Sequence, residues 1–88
     1  MTTGSTRAVA APVSGIVIGI ENYKVSVVVV RKLPSWAKKG TSVRFLDVKS
    51  YIVGVSADTV LIASMNAYET DVGGVVTFKR WRAGAAGC

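Results

Sequence analysis

Residues 25–30 read Val-Ser-Val-Val-Val-Val. β-Branched side chains lose rotamer freedom in a helix and pack well on a pleated surface, so the run predicts a strand. Val25, Val27 and Val29 point one way and Val28 and Val30 the other, which makes both faces apolar. Such a strand is central in a sheet or covered on both sides. Left as a free edge it would pair with any strand it met, because nothing in it is charged. Any fold for this chain has to enclose it.

The stretch that can do the enclosing is residues 40–64, GTSVRFLDVKSYIVGVSADTVLIAS. Val43 and Phe45 alternate with Ser42 and Arg44, Tyr51, Val53 and Val55 with Ile52 and Gly54, and Val60 and Ile62 flank Leu61. That period of two predicts three short strands, with corners at residues 46–49 and 56–59 where Asp and Ser supply acceptors to the turn backbone. Three more strands are predicted at residues 13–20, 24–33 and 75–82. In the first, Gly15 and Gly19 share a face with Val17, which indicates close backbone approach or a bend. In the last, Val76 and Phe78 face away from Val75, Thr77, Lys79 and Trp81. Ser35 suits a helix start, Lys38 and Lys39 its negative end and Gly40 the left-handed stop, so one helical turn is predicted near residues 35–39.

Five to six short antiparallel strands make this an all-β chain: a small single-domain β-barrel or compact sandwich, SH3-like or OB-like, since closure removes exposed edges. Residues 1–12 are expected to form a flexible N-terminal arm, residues 13–82 the barrel and residues 83–88 a flexible tail, because the ends are small and polar without periodicity. Residues 11–17, APVSGIV, resemble the opening of biotinyl/lipoyl-type barrels. That family's modifiable lysine, set between two hydrophobic residues at a hairpin tip, has no counterpart here.

Chemistry is sparsely equipped. The chain has one cysteine and no histidine, which removes a disulfide framework, a His/Cys metal site and the commonest general base. There is no phosphate-binding loop, nucleophile elbow or zinc-protease motif. A non-enzyme without cofactors is expected. The longest aliphatic run, residues 27–30, falls far below the roughly 18–20 residues that cross a bilayer. Pro12, Ser14, Gly15 and Gly19 interrupt the one stretch with a leader-like look. The expected location is the cytoplasm or a virus particle, with no membrane partner.

Two uses fit what remains. Half of the residues are hydrophobic and 18% are charged, against roughly 25% charged in ordinary domains. A chain of 88 residues has little interior, so some apolar side chains should face another subunit. On the first reading this is a non-catalytic assembly protein, a homo-oligomer docking on a larger protein assembly, with Val25, Val27, Val28 and Val30 as assembly residues. In composition the chain resembles the small β proteins of virions, such as phage capsid decoration or head–tail joining proteins. That resemblance implies docking on an oligomeric shell or ring. The alternative is a single-stranded nucleic-acid-binding barrel. The net charge is +6, and two basic groups carry a tryptophan, RKLPSWAKK and FKRWR. Basic side chains neutralise phosphates, and an exposed indole stacks on a base for about 1–3 kcal/mol. Arg31, Lys32, Trp36, Lys38, Lys39, Lys79, Arg80, Trp81 and Arg82 are the candidates for binding nucleic acid or an acidic partner. Charge is segregated too: no base lies between residues 50 and 78, where Asp58, Glu69 and Asp71 fall, so a dipolar surface is expected.

Overall fold

A computed structural model describes residues 12–81. β1 (Val13–Glu21) and β2 (Lys24–Val29) are joined at Asn22 and Tyr23, with φ of 52° and 62°. β3 (Ser42–Phe45) and β4 (Val48–Ser56) are joined at Leu46 and Asp47, with φ of 49° and 67°. Two consecutive positive φ angles make a type I′ turn, whose twist matches that of the strands it connects. β5 (Thr59–Ala63) follows Ala57 and Asp58, where only Ala57 has a positive φ, 53°, the pattern of a type II′ turn. β6 (Val75–Arg80) comes after a 3-10 turn at Ala67–Glu69.

The six strands close into a ring in the order β1-β2-β5-β4-β3-β6, and every neighbouring pair is antiparallel. Of barrel and sandwich, the chain adopts the barrel. β2 is hydrogen-bonded to β1 on one side and β5 on the other, so the valine run has no free edge. The interior holds Val17, Val25, Val27, Val43, Ile52, Val60 and Ile62, with Phe45 opposite Phe78 across β3 and β6. Trp36 meets Phe78 edge-to-face at 6.3 Å between ring centres, which shuts one mouth of the barrel.

Two bulges decide which side chains enter. One lies between Val17 and Gly19 of β1, the other between Ile52 and Gly54 of β4. Inside β1 are Val13, Gly15 and Val17, leaving Ile16 and Ile18 outside; inside β4 are Ser50 and Ile52, leaving Tyr51 outside. At Gly15 β1 and β2 leave no room for a side chain. A Cβ there would sit 2.5 Å from the Val28 carbonyl oxygen and would collide with Val27 Cγ1.

Three expectations are corrected. Residues 35–39 form no helical turn. Ala37 N–H donates to Pro34 O and Thr41 N–H to Lys38 O, both at 3.0 Å, while Lys38 N–H turns back to Trp36 O at 2.9 Å. That last bond, with the Thr41 hydroxyl on the same Trp36 carbonyl at 2.9 Å, replaces the helical ladder by successive tight turns. β2 ends at Val29 rather than Leu33, its last amides donating to Asp58 O and, from Val30, to Ser14 O. Val25 and Val27 are fully buried inside the barrel and offer nothing to another subunit; only Val28, half-buried, and Val30, exposed, point outward. The arm expected at residues 1–12, apart from Pro12, and the tail at 83–88 lie outside the described residues, as does Arg82. Among the described residues no helix is long and apolar enough to cross a membrane.

Candidate functional site

Alternation around a closed antiparallel ring sorts the connections by end. β1, β3 and β5 run toward one mouth, so the β1–β2, β3–β4 and β5–β6 connections lie there; the β2–β3 and β4–β5 connections lie at the other, with the start of β1 and the close of β6. The first mouth carries Glu21, Asp47, Glu69 and Asp71, four of the chain's five acids, and Lys24. The second carries Arg31, Lys32, Lys38, Lys39 and Arg80, with Asp58. The topology thus turns a segregation along the chain into a barrel charged oppositely at its two ends.

Both ends also have an apolar centre. At the acidic end the rings of Tyr23 and Tyr68 meet edge-to-face, 5.0 Å apart, and both are more than half exposed, as is Met65. The loops beneath them are bonded together: Ser64 N–H donates to Tyr23 O at 2.9 Å, Asn66 Nδ2 to Leu46 O at 2.8 Å, and Gly73 N–H to Val17 O at 2.7 Å. At the basic end a shallow groove of about 480 Å³ is bounded by Val30, Arg31, Lys32, Pro34 and Trp36. Trp36 is half-buried against Phe78, so its indole plugs the barrel rather than standing free as a stacking platform.

A third surface lies on the outer wall. Arg44 of β3 is directly opposite Lys49 of β4 and directly opposite Lys79 of β6, so three cations stand in one row across three strands. The next row of that wall pairs Ser42 with Tyr51, and the main-chain N–H of Trp81 donates to Ser42 O at 3.0 Å. The Trp81 ring lies 5.8 Å from the Arg44 guanidinium carbon and 5.8 Å from Lys49 Nζ, and Lys49 Nζ lies 5.9 Å from the Tyr51 ring. Like charges directly opposite one another on a sheet are destabilising, each pair by roughly 0.2–1 kcal/mol. The indole offsets part of this. Asp47 borders the row from a groove it shares with Arg44, Leu46, Thr77 and Lys79. On the adjoining wall Val75, Ile16 and Val28 form an apolar row across β6, β1 and β2, with Val75 73% exposed.

The chain matches no protein-family model, no curated protein and no solved structure.

The nine candidates for binding nucleic acid or an acidic partner therefore part company. Arg31, Lys32, Trp36, Lys38, Lys39 and Arg80 gather at the basic end; Lys79 and Trp81 belong to the outer wall; Arg82 lies outside the described residues. Arg44, Lys49 and Tyr51, which complete the wall, were not among the nine. A sequence signal for two of them exists: if Leu46 and Asp47 alone make the turn, residues 44 and 49 must face each other. The two buried hydroxyls among the described residues are bonded to the main chain. Ser50 Oγ donates to Val48 O at 3.3 Å and Ser64 Oγ accepts from Asn66 N–H at 3.1 Å. Among the described residues no group of three potential metal ligands occurs.

Proposed function

We propose that this chain is a non-catalytic assembly protein whose copies join end to end. The observation that carries the reading is the pair of complementary barrel ends. Each has an apolar centre inside a charged rim, the anatomy of a protein interface, and the rims are opposite in sign. The acidic end of one copy, with Tyr23, Met65 and Tyr68, docks on the basic end of the next, with Val30 and Pro34 framed by Lys32, Lys38 and Lys39. Such a contact uses two different patches, so it builds a ring if the rotation closes and a filament if it does not. The row Val75, Ile16 and Val28 stays uncovered in that stack and is left for a larger shell or ring, as in the capsid decoration or head–tail joining proteins of virions.

Sedimentation over a range of protein and salt concentrations tests this. The wild type is expected to form large species that dissociate as salt rises, since surface charges are screened within about 8 Å at physiological ionic strength. A variant with Glu21→Lys, Glu69→Lys and Asp71→Lys loses one end, and a variant with Lys32→Gln, Lys38→Gln and Lys39→Gln loses the other. Each alone stays monomeric. Mixed, they form one-to-one pairs and stop, because one intact end remains on each. A wild type that stays monomeric throughout, or a mixture that yields no pairs, overturns the reading.

A further inference from the structure

We propose that the outer wall of β4, β3 and β6 binds single-stranded nucleic acid, with phosphates along the Lys49–Arg44–Lys79 row and bases against Trp81 and Tyr51. The row lies on the strands that run between the two ends, and binding there does not rest on end-to-end assembly.

Three observations carry it. First, the register, not chance proximity, lines up the cations: Lys49, Arg44 and Lys79 are Cα partners in successive ladders, and the row itself contains no acid. Neighbouring strands lie about 4.8 Å apart, so the row is a closely spaced line of positive charge. A fold that sets like charges opposite one another gains when a polyanion neutralises them, and binding a phosphate chain releases its condensed counterions as well. Second, aromatic rings stand beside the cations. The Trp81 ring is 5.8 Å from both Arg44 and Lys49, and the Tyr51 ring is 5.9 Å from Lys49. Cationic grooves that carry stacking rings suit single strands, whose bases are free to leave their neighbours. A bare row of lysine and arginine would serve any polyanion. Third, Tyr51 is 47% exposed and all three cations are exposed, while Trp81, half-buried like Trp36, has cations rather than a core ring against it. Asp47, at the margin of the row in the groove beside Arg44 and Lys79, repels phosphate from the acidic-end side and sets a limit to the track.

The test is titration with a fluorescent mixed-sequence oligodeoxynucleotide of roughly 15 nucleotides, within the site sizes of comparable barrels. The background is Trp36→Phe, so that Trp81 is the only tryptophan. Saturable quenching of Trp81 is expected, with affinity falling as salt rises. Replacing Arg44, Lys49 and Lys79 together by Gln should weaken binding at least tenfold and flatten the logarithmic salt dependence by about 2, since each phosphate contact on a single strand contributes about 0.7. Replacing Arg31, Lys38 and Lys39 by Gln removes the same charge from the basic end and should change affinity less than threefold. If the triple variant of the row fails to fold, Arg44→Gln and Lys79→Gln singly should each flatten the slope by about 0.7. No binding by the wild-type wall, equal loss in both triple variants, or equally tight binding of polyphosphate without quenching would each overturn the proposal.

Discussion

The side-chain amide of Asn66 donates a 2.8 Å hydrogen bond to the main-chain carbonyl of Leu46, 20 residues away. It fastens the β5–β6 connection onto a hairpin turn whose Leu46 and Asp47 both hold positive φ angles, and so sets the acidic end of the barrel. Asn66→Ala leaves that carbonyl without its donor and should cost about 1–2 kcal/mol. Asn66→Asp, which presents an acceptor to an acceptor, should cost at least as much. Urea denaturation reads both as a lower midpoint at an unchanged slope.

Gly15 and Gly19 look alike in the sequence and differ in the barrel. A methyl group at residue 15 meets the Val28 carbonyl oxygen at 2.5 Å, and backbone cannot rotate out of the way, whereas at residue 19 it meets only Ser26 Oγ at 3.9 Å. Gly15→Ala should destabilise by about 1–3 kcal/mol or prevent folding, and Gly19→Ala should stay within about 0.5 kcal/mol of the wild type. Matched thermal melts distinguish them, and equal effects would mean that the β1–β2 approach is looser than described.

Ala57 occupies the first central position of a type II′ turn with φ of 53°, where a Cβ is a burden and glycine is favoured. Ala57→Gly should stabilise by about 1 kcal/mol, raising Tm by roughly 4–8 °C for a domain of this size. The site faces solvent between β4 and β5, away from the Lys49–Arg44–Lys79 row, so oligonucleotide binding should not change.

Lys79→Glu separates stability from binding. It turns the Arg44–Lys79 like-charge pair into an opposite pair, which should add about 0.2–1 kcal/mol of stability at low salt and less as salt rises. The same substitution puts an acid into the phosphate track and should abolish oligonucleotide binding. A denaturation midpoint that rises while affinity falls is the signature to look for.

Much of the barrel is legible from period alone. Alternation in residues 75–80 places Val76 and Phe78 inside and Lys79 outside, and the three strands of residues 40–64 appear where the β-branched runs lie. The bulges are less legible, because one unpaired residue near Ile18 and one near Val53 shift a strand's facing without altering its composition. The valine run shows why composition misleads about surfaces: Val25 and Val27 belong to the core, while the uncovered apolar row is Val75, Ile16 and Val28, on three different strands. The cationic row escapes sequence reading for the same reason. Lys79 reaches Arg44 only because β6 crosses the ring to lie beside β3, a long-range pairing that no local pattern announces.

β6 is the last strand of the ring in chain order and the one that seals it, since it pairs with both β1 and β3. A ribosome delivers the chain from its N-terminus, so the β1–β2 hairpin and the β3–β4–β5 meander emerge while both of those edges are still open. Without β6 the ring is an open sheet whose two free edges are β1 and β3, the arrangement at which strands of separate chains pair. Closure by residues 75–80 removes both open edges at once, so the pairing of one strand decides whether the sheet can be extended by another chain.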